Sequence, residues 1–358
     1  MDHSFMIEGL EKVLEGSDQP GVAELRDLLQ KLLNGHEASG RFLEQATLQP
    51  RGMRVFRLRF SINGRPRSVV VKRLKPQIAR RSELAAKRWL PAIRLGGGGP
   101  PLLGGVVEPS GACAWHVYDD LGEHELDPRE PDRERVSAAV ELVAQMHTRF
   151  AEHALLGEVR LHGGDLGIRF YESNVRDAIY ALEACQPAAQ QNGLRDRLLH
   201  RLCKLRDELP GRAQALAEWG GPETLLHGDL WAINVFVIPS ANGLHARLID
   251  WDHAAVGPAS YDLSTFLLRF PSEHRPWVLD LYRQAVAGAG WRLPGERELN
   301  LLFETHEYAR IANRIIWPAI ALVMDGAEWG AEALAEIDGW FEQFEPVLQP
   351  QCGTEVTA

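Results

Sequence analysis

From Phe56 to Ile62 apolar and polar positions alternate: Phe56, Leu58, Phe60 and Ile62 are interleaved with Arg57, Arg59 and Ser61. A period of two is that of a half-buried strand. Asn63-Gly64 marks a hairpin turn. Residues 68–74 read as the return strand, with Val70, Lys72 and Leu74 on one face, so residues 41–75 are expected to be strands. Residues 115–118 (WHVY) read as a further strand. The connector LGGGGPPLLGG (95–105) reads as irregular, and no Gly-Lys-Ser/Thr closes it into a phosphate loop.

Elsewhere the period lengthens to that of a helix. Val136, Val140, Val143, Met146 and Phe150 stripe a long helix over residues 131–153. A second is expected over 192–219, and three more over 277–287, 299–324 and 331–344. Pro318 should kink or split the middle one. The first 35 residues read as two short amphipathic helices. Ile7, Leu10 and Leu14 share a face of the first; Leu25, Leu28, Leu29, Leu32 and Leu33 stripe the second, and Asn34-Gly35 is its stop.

The chemistry gathers in residues 225–263. Asp229 and Asn234 stand five positions apart between apolar flanks. Val235-Phe236-Val237-Ile238 leads into the turn Pro239-Ser240-Ala241-Asn242-Gly243, and Leu248-Ile249 then runs into Asp250. A hairpin there brings Asn234 and Asp250 to one place. Phosphoryl transfer needs such groups: an Asp to accept or orient the attacking hydroxyl's proton, and hard oxygens for Mg²⁺.

The string HGDLWAIN followed by LIDWD resembles the aminoglycoside phosphotransferase and choline kinase superfamily, in which HGD stands where protein kinases carry HRD. Gly257 and the Asp262 of YDLSTFL fit the same pattern. The resemblance implies an α+β, protein-kinase-like two-lobed fold, with a small β-rich N-lobe and a larger helical C-lobe. It spans about residues 41–345, and its strong motifs lie in 225–263. It implies transfer of the γ-phosphate of ATP (or GTP), with Mg²⁺, to a hydroxyl of a small molecule. Asp229 would be catalytic, and Asn234 and Asp250 would hold the metal. Lys72, in VVVK, would hold the nucleotide phosphates, with Lys75 as the competing lysine.

Glu83 would orient Lys72; the simpler reading of Glu83 is an exposed pair with Lys87. Ser82 reads as the cap of that helix, which Pro91 stops. Asp119 (carbonyl) and Leu121 (amide) fall where the adenine is held, at a hinge near residue 120. Asp262 and His227 would support the catalytic loop, and Asp252 would aid the metal, touch substrate, or simply be solvated. His147 reads as a core or capping histidine. His162-Gly163-Gly164-Asp165-Leu166 mimics the motif, but Phe170 stands where Asn is required. The phosphate-covering segment falls at Gln49-Pro50-Arg51-Gly52, which has one glycine.

Three divisions are expected: an N-terminal helical extension over 1–40, a nucleotide-binding N-lobe over 41–120, and a helical C-lobe with catalytic loop and substrate site over 121–350. Composition narrows the partners. The chain has 358 residues and a formal charge of −10, which argues against nucleic acid or an anionic membrane. Its four cysteines form no C-x-x-C, so no zinc site or disulfide framework is expected. No signal peptide or membrane span is visible, and the cytoplasm is the default. The oligomeric state is not fixed by the sequence.

Residues 301–345 carry nine acids against Arg310 and Arg314. A cationic acceptor is expected if these acids face the cleft; the plain alternative is solvated helix faces. Glu304 and Glu307, near Tyr308 and Trp317, are the candidate contacts. A kinase for a metabolite such as choline, a sugar, homoserine or a methylthiosugar has the same chemistry. A nucleotide-binding protein without turnover is the rival from another class. A protein kinase is disfavoured because no A-P-E segment follows Asp250 at the expected place.

Overall fold

The computed structural model describes residues 7–33, 39–49, 54–185 and 192–349. The expected helix stop at Asn34-Gly35, the Pro50-Arg51-Gly52 segment and Cys352 lie outside them. The chain forms two compact units. One comprises residues 1–125 and 234–252; the other comprises 126–233 and 253–358.

The first unit is built on a six-stranded sheet. Its strands are β1 (Ile7–Glu8), β2 (Gly40–Thr47), β3 (Val55–Ile62), β4 (Arg65–Leu74), β5 (Leu102–Val107) and β6 (Ala114–Asp119), in the order β1-β2-β3-β4-β6-β5. Only the β1–β2 pair is parallel. The β3–β4 hairpin turns through Asn63 and Gly64, at φ 52° and 73°. Both residues tolerate the left-handed conformation that a two-residue hairpin loop requires. Phe56, Leu58 and Phe60 of β3 and Val69 and Val71 of β4 enter one core with Trp115 and Val117. Helix α1 (Val22–Leu33) covers this face with Leu25, Leu29 and Leu33.

Residues 7–33 therefore differ from expectation. The second amphipathic helix forms, but in place of the first stand the two residues of β1 and a single tight turn, Leu10–Lys12. Leu14 is buried at φ 53°, so the chain bends there instead of continuing a helix. The segment is a layer of the sheet's own core; Trp115 Nε1 donates to Pro20 O at 2.9 Å. The glycine-rich connector likewise contains strand β5. Leu28 and Leu32 of α1 come within 3.2 Å of where a Cβ at Gly104 would stand, which favours a residue without one.

Helix α2 (Pro76–Leu84) starts at Pro76, not at Ser82. Proline is suited to the first helical position because its missing N–H has no intrahelical role there. Ser82 is instead buried inside the helix. The helix continues through a π turn, Ala85–Trp89, into the short α3 (Leu90–Ala92). The same unit contains the hairpin of β8 (Val235–Ser240) and β9 (Gly243–Leu248). It is tied to the segment after α3 by Arg247 donating to Gly99 O at 3.0 Å and by His245 Nε2, 3.0 Å from Gly97 O.

Among its described residues the second unit is helical apart from one antiparallel pair of strands, β7 (Glu223–Leu226) with β10 (Ala255–Pro258). Its helices are α4 (Arg133–Phe150), α5 (Leu156–Gly163), α6 (Ile168–Ala184), α7 (Asn192–Asp207), α8 (Leu209–Trp219), α9 (Ser260–Leu268), α10 (Arg275–Ala287), α11 (Glu296–Asp325) and α12 (Glu328–Gln343). Every residue of the predicted α4 stripe is buried, and Asp132 caps the helix through the amide of Arg135. The single helix expected over 192–219 is two, because Pro210 opens a new first turn. By contrast α11 runs unbroken through Pro318. That stretch is covered by α12: Gly330 packs so closely that a Cβ would stand 2.6 Å from Pro318 O. Among the described residues no helix is long and apolar enough to cross a membrane.

Candidate active site

In the β-rich unit Lys72 lies on the sheet face opposite α1. It sits on the central strand β4, opposite Val55 and His116 on its two neighbours. Only 14% of its side chain is exposed, so its ammonium requires counter-charge. Asp250 Oδ1 is 2.6 Å away and Asp252 Oδ2 2.8 Å away. Burial alone would lower the lysine pKa, but the two carboxylates outweigh it and the pKa is raised. Asp252 is pushed the other way. Burial and then the charge of Asp250 raise its carboxyl above the usual range, against the pull of Lys72. Two acids thus converge on one cation.

Local structure places them. The hairpin ends are pinned by the Ile249 amide donating to Asn234 O at 2.9 Å, so Asn234 and Asp250 leave adjacent strand ends. Asp250 turns away from the strand in the left-handed region, at φ 64°. Aspartate tolerates that conformation better than most residues. Asp252 receives Arg81 at its carbonyl and Ser82 Oγ at 3.3 Å. This explains why Ser82 is buried rather than capping.

The expected Lys72–Glu83 pair is not formed. Glu83 lies 3.0 Å from Lys87 and 3.6 Å from Arg80 and is half-buried on α2. Ser82 occupies the inward position, and Lys72 is already satisfied by the two aspartates. Lys75 stands before Pro76, outside the strand, as the competing lysine. Asp119 donates its amide to Pro101 O and pairs its carboxylate with Arg67. The neighbouring Asp120, not foreseen, is the more embedded acid. It pairs with Arg57 at 2.8 Å, accepts from Ser68 Oγ at 2.6 Å, and takes the Gly122 amide at 3.0 Å beyond Leu121. Arg57 on the polar face of β3 was its only sequence signal.

His116, beside Lys72, is buried, and burial lowers its pKa to about 4. The fold therefore favours the neutral ring. Its stabilising contribution is complete above about pH 6.5, the unfolded value, and is lost as pH falls from there toward 4. The melting temperature should drop between pH 7 and pH 5, and less so in His116→Gln. Equal drops in the two proteins would place the acid sensitivity elsewhere.

In the helical unit the His227-Gly228-Asp229 loop follows β7. Gly228 is at φ 80°, and a Cβ there would stand 1.9 Å from His253 O. Asp262, in the first turn of α9, is wholly buried. Its Oδ2 accepts the His227 amide at 2.7 Å and its Oδ1 the Gly228 amide at 2.9 Å; His147 Nε2 lies 3.3 Å from Oδ2. Burial would raise the Asp262 pKa, but the hydrogen bonds and His147 outweigh it and hold it low. His147 in turn reaches the Tyr282 hydroxyl at 2.9 Å, so it is a buried structural histidine. The loop of Asp229 is thereby anchored at the two residues before it. The mimic at His162–Leu166 is the end of α5 and the segment after it: Asp165 bridges to Val256, accepts the Gly167 amide and pairs with Arg160.

Glu304 and Glu307 diverge. Glu307 pairs with Arg310, which also reaches Tyr261 O and Ser264 Oγ. Glu304 lies 4.0 Å from Arg212, and burial raises its carboxyl pKa. It lines a groove of about 730 Å³ with Trp219, Glu296 and Leu348. Tyr308 is stacked on Phe341 beneath Arg212, whereas Trp317 is 65% exposed.

A β-rich unit with a buried lysine and paired aspartates, and a helical unit with an anchored HGD loop, define a protein-kinase-like α+β fold. The model of the phosphotransferase enzyme family (APH) matches residues 48–302, and the chain belongs to that family. No curated protein matches significantly. Among solved structures, spectinomycin phosphotransferase in complex with ADP and spectinomycin is 12% identical. That match covers 91% of this chain and 95% of the other, with a TM-score of 0.54. Choline kinase from Cryptosporidium parvum Iowa II is 12% identical over 90% and 94%, TM-score 0.53. Macrolide 2′-phosphotransferase from Brachybacterium faecium is 17% identical over 88% and 97%, TM-score 0.52. At these identities the likeness is one of fold.

Proposed function

We propose that the protein transfers the γ-phosphate of ATP (or GTP) to a hydroxyl of a small molecule, with Mg²⁺. The observation that carries this is the convergence of Asp250 and Asp252 on the Lys72 ammonium at 2.6 and 2.8 Å, in a chain of the phosphotransferase family. An all-oxygen, anionic set that already holds one cation suits Mg²⁺, which takes one or two carboxylates and draws its other ligands from water and phosphates. Among the described residues no group of three or more His, Cys, Asp or Glu is placed to hold a metal by itself. The ligands would be Asp250 and the Asn234 amide oxygen, with Asp252 beside them. Bound there, the metal would neutralise charge on the phosphates.

The chain's own groups have separate tasks. Lys72 holds the nucleotide phosphates. Glu83 does not hold Lys72 here, and its orienting role requires it to leave Lys87 for the third donor of the Lys72 ammonium. Asp119 and Leu121 offer backbone groups to the base. Asp229 accepts the acceptor's hydroxyl proton as the oxygen bonds to the γ-phosphorus and its bond to the departing ADP breaks. Asp262 and His227 hold the loop in place.

A panel of hydroxyl compounds assayed for ADP release tests the reading; no acceptor-dependent release, with Mg·ATP bound, would favour a nucleotide-binding protein without turnover. Lys72→Ala should raise the KM for ATP far more than that for the acceptor. The reverse pattern would move the phosphate contact to another residue such as Lys75. Asn234→Ala and Asp250→Ala should weaken Mg²⁺-dependent nucleotide binding in calorimetry, and unchanged metal dependence would remove them from the metal site.

A further inference from the structure

We infer that the acceptor is a hydroxyl compound bearing an anionic group, a carboxylate or a phosphate, gripped by Arg269 and Arg314 beside Asp229. The inference rests on the phosphotransfer reading and names its substrate class. It reverses the cationic acceptor that the acidic C-terminal helices suggest.

The helical unit supplies the observations. Arg269 ends α9, and its guanidinium carbon lies 3.2 Å from the centre of the Trp231 ring. Trp231 is two residues beyond Asp229, and its amide donates to Asp229 O at 2.8 Å. The turn that carries Asp229 therefore carries the surface on which Arg269 rests. Burial pushes the Arg269 guanidinium pKa down; Glu307 and Asp229 raise it, and Arg310 and Arg314 lower it further. Three guanidiniums and two carboxylates thus share one neighbourhood.

The pairing within this group is uneven. Glu307 is committed to Arg310, and Arg310 is also held by Tyr261 and Ser264. Arg314 lies one helical turn beyond Arg310 on the same face of α11 and is exposed. Arg269 and Arg314 have no ion-pair partner among the described residues; an indole covers each, Trp231 for one and Trp340, at 5.5 Å, for the other. A guanidinium over a ring face spends no N–H donor on the ring and keeps its fork for a carboxylate or phosphate.

Packing alone explains why each arginine lies on a tryptophan. It does not explain why neither guanidinium has an ion-pair partner among the described residues, in a chain with a net charge of −10. An amine on the acceptor would meet this pair as a like charge. An anion would complete it.

The test uses the full chain and four acceptors of similar size: 3-amino-1-propanol, 1,3-propanediol, 3-hydroxypropanoate and glycerol 3-phosphate. ADP release is measured at low and high salt. One or both anions should show the lowest KM, rising with salt, and the better of the two identifies the carboxylate or the phosphate as the recognised group. Losing a charge-assisted hydrogen bond of this kind should raise that KM about 10- to 100-fold in Arg269→Gln or Arg314→Gln. The KM for 1,3-propanediol should stay nearly unchanged, which separates recognition from a structural defect. A preference for the amine or the diol, or an equal rise for charged and neutral acceptors, overturns the inference.

If none of the four is phosphorylated, binding of succinate and inorganic phosphate to the protein decides. Binding lost in the double variant supports the anion site; no binding, or binding unchanged in the variant, overturns it. Failure of Mg·ATP to bind at all would instead overturn the phosphotransfer reading.

Discussion

Asp229→Ala should cut turnover by about 10²–10⁴-fold, the usual worth of a positioned general base, while Mg·ATP binds as before. The separation is expected from where the groups lie. Lys72, Asn234, Asp250 and Asp252 belong to the β-rich unit, and Asp229 to the helical one. The loop around Asp229 is held through its backbone: Asp262 takes the amides of His227 and Gly228. The substitution should therefore remove the carboxylate and leave the loop standing. Single-turnover kinetics with saturating acceptor, beside calorimetric titration of Mg·ATP, makes the comparison. Near-normal turnover would remove Asp229 from the chemistry, and lost nucleotide binding would show that it serves another purpose.

Asp262→Ala should damage both stability and turnover. The carboxylate is fully buried, with two backbone donors and one imidazole on it. Breaking a buried network of this type costs about 3–5 kcal/mol, because the partners are left buried and unpaired. Asp262→Asn keeps the size and one acceptor oxygen, so it should fold with a smaller loss. In the Asp262→Asn variant kcat should fall more than the KM for nucleotide rises, since the loop bearing Asp229 is what loosens. An unchanged melting temperature in the alanine variant, or a loss confined to nucleotide KM, would contradict the anchoring role.

Much of this was legible because short-range signals and tertiary need agree. Alternation in β3, the Asn63-Gly64 turn and the stripe of α4 each encode one element without reference to anything distant. The hairpin from Asn234 to Asp250 is of the same kind. What was not legible depended on partners far along the chain. Lys72 announced a need for counter-charge, but a helix with Glu83 and the motif with Asp250 and Asp252 both offered it. The choice turned on which side of α2 faces inward, and that followed from Pro76 starting the helix six residues before Ser82. The first N-terminal stripe was apolar enough for a helix, yet Ile7 found a sheet edge and took it. Glu304 and Glu307 looked alike in sequence; α8 brought Arg212 to the first, while the second pairs with Arg310 on its own helix.

The β-rich unit is not continuous in the chain, for residues 234–252 belong to it and residues 126–233 do not. During synthesis its sheet emerges first, and the hairpin follows only after more than a hundred residues of the other unit. Until then Lys72 faces a region without Asp250 or Asp252, and the segment after α3 lacks the contacts of His245 and Arg247. An ammonium buried without its counter-charge is costly. A nascent chain that ends near residue 125 should therefore hold its sheet loosely and be cut readily by protease. It should become resistant only once Asp252 has emerged from the ribosome, so that the last-made part of the β-rich unit sets the moment at which the unit becomes a folded whole.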